Sequence, residues 1–346
     1  MKKLTISLLV CAMIVLGSAP SVLAAEKKST AKSAPAASKK ASAKKSTSKT
    51  TAKASGKGQQ RAKAGSAPAK QVSASSKSVS SRKVAALPED WSDGRLSLAS
   101  ASVLVMDQVS GKPLLEKNPG TVVPIASISK LMTAMVVLDA GLNMDEVITI
   151  SDQDVDYLKG TRSRLQVGSA MTRDTALLLA LMSSENRAAN SLGRHYPGGL
   201  QAFVAAMNRK AWSLGLTHTH FEEPTGLSVN NVSTARDLAR MVMAAHQYPK
   251  IREYSTMAEA RVDLGHRILD FNNTNALVKN PQWQIGLSKT GYISEAGRCL
   301  VMQAWVADKP VVMVLLDSAG KMTRVGDANR IKRWMESASA PRNTGA

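Results

Sequence analysis

The chain has 346 residues, with 46 Lys and Arg against 26 Asp and Glu, a formal charge of +20 at pH 7. That excess is confined to one segment: 16 basic residues lie between Ala25 and Ala86 against the single acid Glu26, while residues 87–346 hold 28 basic and 25 acidic residues. The foldable part is close to neutral and the basic segment has no aromatic to stack on bases, so nucleic acid is not an expected partner.

In chain order, Lys2 and Lys3 precede an apolar run from Leu4 to Leu16, and Val22-Leu23-Ala24 offers a cleavage point before Ala25. Residues 1–24 therefore read as a secretory signal, since the apolar run is shorter than the roughly 20 residues that span a bilayer. Export to the periplasm is the expectation. Cys11 falls inside the signal, which leaves Cys299 alone in the mature chain and no internal disulfide to form. Residues 25–86 are almost entirely Ala, Lys, Ser, Thr, Pro, Gly and Gln. They carry too little apolar surface to order themselves and read as a disordered basic tail. Such a tail suits an anionic wall or membrane surface, or plain spacing from the point of export.

Residues 87–337 read as one folded domain, followed by a flexible end at 338–346. Alternating apolar positions in "SASVLVMDQ", the turn-prone "SGKP" and then "LLEKN" predict a hairpin near 100–118. The run Leu131–Leu138 is apolar on every side, as in a helix buried all round, with Gly141 as its left-handed stop. From about Asp174 to Ala245 the pattern is mainly helical, in "RDTALLLALMSSENRAANSLGRH", "LQAFVAAMNRKAWSLGL" and "TARDLARMVMAAHQ", the last with Thr234 as N-cap. Methionines recur at helical spacing there, as core filler. Strand signals return in "RVDLGHRILDF", "IGLSKTGYI", "RCLVMQAWVAD" and "KPVVMVLLD", the last two joined by a turn at Asp308, Lys309 and Pro310. A helix from about Thr323 to Glu336 follows. Strands at both ends around inserted helices predict an α/β (α+β) fold, with one antiparallel sheet built from both chain ends and a helical subdomain between.

The chemistry begins at "IASISKLMTAM", where Ser127 and Lys130 stand three positions apart at the mouth of the apolar helix. That spacing puts both on one face. Burial disfavours the ammonium, so the amine becomes a base for the serine proton, and the helix start favours the charge that develops on attack. Ser-x-x-Lys alone says little, because it recurs at Ser29/Lys32, Ser42/Lys45, Ser46/Lys49, Ser80/Lys83 and Ser318/Lys321. Only the pair at Ser127 opens an apolar helix. Two further stretches accompany it: "SEN", with Ser184 and Asn186, and "KTG", with Lys289, Thr290 and Gly291 on a predicted strand.

The ordered set Ser-x-x-Lys, Ser-x-Asn, Lys-Thr-Gly resembles the active site of the penicillin-binding proteins and serine β-lactamases. From about residue 97 to 336, "IASISKLMTA", "PTGLSVNNVSTARDLARM" and "GLSKTGYISEAGRCLV" are similar to the low-molecular-mass D-alanyl-D-alanine peptidases of family S11. The "SEN" version and the short stretch after Glu336 most resemble the penicillin-binding protein 7 type, the D-alanyl-D-alanine endopeptidases. The resemblance implies the β-lactamase/transpeptidase-like fold and an acyl-serine mechanism without metal or cofactor. It implies Ser127 as nucleophile, Lys130 as base and Ser184 as proton relay to the leaving amine. Asn186 would hold the substrate amide, and Lys289 and Thr290 its carboxylate. Gly291 would admit the substrate strand to the sheet edge, and the N–H groups of Ser127 and Tyr292 would bind the oxyanion. Peptidoglycan stem peptides are the implied substrates and β-lactams the covalent inhibitors.

Other readings remain beside this one. Ser228 and Asn230 also fit Ser-x-Asn, but in a Gly/Asn-rich connection that holds a side chain less firmly than a helix end. His218 and His220 share one face of a strand, and no cysteine or carboxylate pattern completes a metal site around them. Glu222 or Glu223 would be the water-activating carboxylate if the protein were a β-lactamase. Arg236 and Asp237 resemble a structural pair of the family. A D-alanyl-D-alanine carboxypeptidase and a non-catalytic wall-binding protein are the remaining alternatives.

Overall fold

The computed structural model describes residues 96–265 and 267–339. The signal, the basic tail and residues 340–346 lie outside that range. The chain opens with the predicted hairpin, β1 (Ser100–Asp107) and β2 (Pro113–Lys117), then the two-residue β3 (Val123–Pro124). A 3₁₀ turn, Ala126–Ser129, runs directly into α1 (Lys130–Asp139). Next come β4 (Val147–Thr149), β5 (Ala170–Thr172), α2 (Arg173–Met182), α3 (Asn186–Arg194), α4 (Gly199–Ser213), β6 (Val232–Ser233), α5 (Ala235–Ala245) and α6 (Pro249–Thr256). The chain closes with β7 (Glu259–Asp263), β8 (Ile268–Asn272), β9 (Gln284–Ile293), β10 (Gly297–Val306), β11 (Lys309–Ser318) and α7 (Thr323–Ser339). No helix among the described residues is long and apolar enough to cross a membrane.

Five strands form one antiparallel sheet in the order β2-β1-β11-β10-β9, so the two chain ends meet at the pairing of β1 with β11. Side chains alternate across it, and both faces are covered. Leu104, Val301, Val312 and Val314 face the helical subdomain, while Val103, Val105, Met302, Met313 and Leu315 pack on Ala328, Ile331 and Met335 of α7. The helix α1 is buried from Lys130 to Val137, the central member of the subdomain, and Gly141 ends it at φ 60° as expected. Thr234 caps α5 by accepting the Asp237 N–H at 3.1 Å.

Five local expectations are corrected. The strand signal around "RVDLGHRILDF" is a separate hairpin, β7 with β8, outside the main sheet. Val262 and Phe271 are its buried residues and pack into the helical core, which suits a flanking ribbon better than a sheet strand. The long helical stretch after Asp174 breaks into α2 and α3 because Ser184 adopts φ 61°, which no right-handed helix continues through. The turn between β10 and β11 is the two-residue Ala307-Asp308, both at positive φ, and Lys309 and Pro310 are already paired in β11. Arg236 and Asp237 do not pair with each other: Arg236 meets Glu116 at 3.1 Å and Asp237 meets Arg240 at 3.2 Å. The last helix also runs to Ser339, three residues past its predicted end.

Candidate active site

Ser127 lies within the 3₁₀ turn, one residue after Ala126, which takes φ 50°. A non-glycine residue in that region costs of order 1–3 kcal/mol and needs outside support. The connection "EEPTGLSVNN" provides it. Gly226, at φ 84°, is pressed so closely on the turn that a Cβ there would stand 1.9 Å from the Ala126 carbonyl oxygen and 2.7 Å from Ser127 N. Only glycine fits, by backbone and by space. Both oxygens of Glu223 clamp this connection: Oε2 accepts Thr225 N at 2.6 Å and its hydroxyl at 2.5 Å, and Oε1 accepts Gly226 N at 2.6 Å. Asn231 Nδ2 then donates to Ser129 Oγ at 3.0 Å and ties the connection to the turn.

Lys130 is fully buried, and its Nζ has three partners: Ser127 Oγ at 2.9 Å, Asn186 Oδ1 at 2.7 Å and the Thr225 carbonyl at 2.7 Å. Two of them can only accept. A neutral amine must spend its two hydrogens on those oxygens, which leaves its lone pair facing the Ser127 hydroxyl. Burial pulls the Lys130 amine down to about 7, against the opposing pull of the Glu223 and Glu185 carboxylates. A large share of the amine is therefore neutral near neutral pH.

The facing wall comes from β9. Lys289 is buried, donates to Ser184 Oγ at 2.9 Å and to the Thr290 carbonyl at 3.0 Å, and is held well below the ordinary lysine range by burial and by the positive Lys130 and Arg324. The sheet edge runs against the Ser127 turn: a Cβ on Gly291 would meet Ile125 O at 2.9 Å and Ser127 N at 3.1 Å. The space left by this glycine is thus filled by the turn at Ile125–Ser127 itself, a different reason for glycine from the substrate access expected of it. Thr290 is buried with its hydroxyl on Thr274 Oγ1 at 2.7 Å, and Tyr292 is exposed, its ring covered by Arg298 at 4.5 Å.

Hydrogen bonds join Lys130 to Ser127 and Asn186 and join Lys289 to Ser184, and the strand carrying Lys289, Thr290, Gly291 and Tyr292 meets the first group where Gly291 lies against Ser127 N. Two of these residues sit otherwise than expected. Ser184 is bonded to Lys289, and among the described residues no bond joins its hydroxyl to Lys130. Asn186 holds Lys130 with its oxygen and donates Nδ2 to Thr161 Oγ1 at 3.1 Å, which leaves one amide hydrogen for a substrate carbonyl.

Residues 89–320 match the peptidase S11 family, D-alanyl-D-alanine carboxypeptidase. The chain belongs to this family of serine D,D-peptidases. A Pseudomonas aeruginosa relative named D-alanyl-D-alanine endopeptidase is 54% identical over 241 residues, covering 69% of this chain and 78% of its own. An Escherichia coli protein of the same name is 50% identical over the same coverage. Among solved structures, the Streptomyces K15 DD-transpeptidase superimposes with a TM-score of 0.65 at 28% identity, covering 70% of this chain and 98% of its own. A Mycobacterium tuberculosis D-alanyl-D-alanine carboxypeptidase gives 0.63 at 26%, covering 71% and 94%.

Within this S11 peptidase the rival readings lose their groups. Ser228 Oγ donates to Glu222 and Asn230 Nδ2 reaches the same carboxylate at 3.2 Å, so neither faces Lys130. Glu223 is occupied on both oxygens by its own loop, which leaves it ill-placed to activate a water. Sequence reasoning missed Thr161, Glu223 as a clamp, Gly226 and Arg324. Arg324 Nη1, from α7, donates to the carbonyls of Gly291 at 3.0 Å and Cys299 at 3.1 Å, bracing β9 from behind. Only "PTGL" carried a signal, since Pro and Gly flank a tight connection; Arg324 and Thr161 lie in stretches with no distinguishing pattern.

Proposed function

We propose that this S11 peptidase is an exported D-alanyl-D-alanine endopeptidase that cleaves cross-links between peptidoglycan stems through an acyl-enzyme on Ser127. The observation that carries the reading is the Lys130 amine 2.9 Å from Ser127 Oγ, with its other two partners restricted to accepting. In the forward step the Ser127 oxygen attacks the D-alanyl carbonyl while its proton passes to Lys130. The developing oxyanion sits between the N–H groups of Ser127 and Tyr292, fixed in advance on a helix start and a strand. As the tetrahedral species collapses, the C–N bond breaks and the proton from Lys130 reaches the leaving amine; Ser184 serves as relay by exchanging its bond to Lys289 for one to Lys130. Water then attacks the acyl-serine with Lys130 again as base. Lys289 and Thr290 bind the carboxylate of the leaving side, and Asn186 holds the acyl amide. Binding of that carboxylate restores a charge partner to a buried amine that otherwise lacks one.

Endopeptidase action is favoured over removal of a terminal D-alanine by the names of the relatives at 54% and 50% identity. Residues 1–24 serve as the export signal to the periplasm, and residues 25–86 as a basic spacer able to lie on an anionic wall or membrane surface. The test is to incubate the purified protein with a cross-linked dimeric muropeptide and with a free pentapeptide and to weigh the products. Release of monomers is the expected result. Loss of a single alanine from the pentapeptide, with the dimer intact, would make it a carboxypeptidase.

A further inference from the structure

The loop between the 3₁₀ turn Asp152–Asp154 and β5 supplies the last partner of the Asn186 amide. Asp156 is its anchor. Asp156 Oδ1 accepts the N–H groups of Leu158 at 2.9 Å and Lys159 at 3.0 Å, while Oδ2 accepts Thr161 N at 2.9 Å and the Thr161 hydroxyl at 2.6 Å. Burial works to raise this carboxyl, but the bonds from Thr161, Lys159 and Leu158 outweigh it and hold it below its ordinary value. An ionised carboxylate only accepts, so the Thr161 hydroxyl spends its one hydrogen there and offers a lone pair to Asn186 Nδ2 at 3.1 Å. The direction of every later bond follows: Asn186 must turn its oxygen to Lys130, Lys130 must donate to it at 2.7 Å, and the Lys130 lone pair is left for Ser127.

We propose that Thr161, oriented by Asp156, is a positioning residue that fixes the polarity of the hydrogen-bond chain ending on the nucleophile. This rests on Lys130 being the base. A flipped Asn186 amide would aim its N–H at the neutral amine, occupying the lone pair meant for the serine proton. It would also set its oxygen against a Thr161 oxygen whose hydrogen is already committed. Both errors are excluded while Asp156 and Thr161 stay in register. The charged groups around Lys130 are Glu223 from the "EEPTGL" connection, Glu185 from the turn before α3 and Lys289 from β9, and none of them distinguishes the two amide orientations by direct contact with Asn186.

The test measures the acylation rate by a fluorescent penicillin across the neutral range for wild type, Thr161→Val, Thr161→Ser and Thr161→Ala. Thr161 is exposed at the cleft rim, so these changes leave the core alone. Thr161→Val and Thr161→Ala are expected to lower the plateau rate roughly three- to tenfold, the worth of one hydrogen bond, and to move the acid limb to lower pH because the ammonium loses a fixed acceptor. Thr161→Ser keeps rate and limb. Wild-type behaviour in Thr161→Val, or an equal loss in Thr161→Ser, would overturn the proposal. Lys130→Ala tested alongside separates the two claims: an active Lys130→Ala removes the base assignment itself, whereas an inactive one beside an unaffected Thr161→Val removes only the role of Thr161.

Discussion

Lys130 on α1 and Lys289 on β9 are both buried, face the same cleft and each reach a serine hydroxyl at 2.9 Å, yet their surroundings differ in sign. Lys130 has two carboxylates near it, Glu223 and Glu185, which offset part of the cost of burial and leave it at about 7. Lys289 has the Lys130 amine and the Arg324 guanidinium beside it, and burial together with these two holds it well below the ordinary lysine range. Under the proposed function the same side chain serves as a proton carrier where fixed acids moderate burial, and as an anion receptor where the acid comes from the substrate. Position in the fold suits the two proposed roles: Lys130 sits on the first turn of a buried helix, and Lys289 on an edge strand that a peptide can join.

The contrast can be broken by substitution. Lys130→Ala should lower the acylation rate by roughly 10²- to 10⁴-fold, the contribution of a positioned general base, read by fluorescent penicillin labelling in time course. Gly226→Ala should cost about 3 kcal/mol or more in chemical denaturation, from a strained φ plus overpacking against Ala126, and should misplace the nucleophile that Lys130 serves. Lys289→Ala should lower kcat/KM roughly 10- to 100-fold for substrates bearing the carboxylate, the worth of a charged hydrogen bond, and much less for the same substrate amidated. An equal loss on both substrates would remove its role as receptor. Thr234→Ala, which deletes the cap of α5, should cost only about 1 kcal/mol in denaturation and leave the acylation rate and its pH limb as in wild type.

Much of this was legible in the sequence. Apolar alternation located the hairpin and the strands β9, β10 and β11, and an apolar run located α1 with Ser127 and Lys130 at its mouth. The "KTG" strand lies against the Ser127 turn although 162 positions separate Ser127 from Lys289. What escaped depends on contacts that no local pattern encodes. The strand signal of "RVDLGHRILDF" was real, but which sheet it joins is decided by the packing of Val262 and Phe271. The helix break at Ser184 depends on a left-handed residue held by Lys289 from a distant strand. Thr161 and Arg324 act through backbone and amide partners far along the chain, and their own neighbours in sequence give no hint of it.

The proposed mechanism needs the amine of residue 130, buried beside the Ser127 hydroxyl, to hold a substantial neutral fraction near neutral pH. Nitrogen or Cε resonances of isotopically labelled lysine, assigned with Lys130→Arg and Lys289→Arg and followed across pH, report that charge directly. The account predicts that the Lys130 resonance titrates near 7, well separated from the surface lysines. A Lys130 resonance that stays charged through the surface lysine transition near 10 would contradict it.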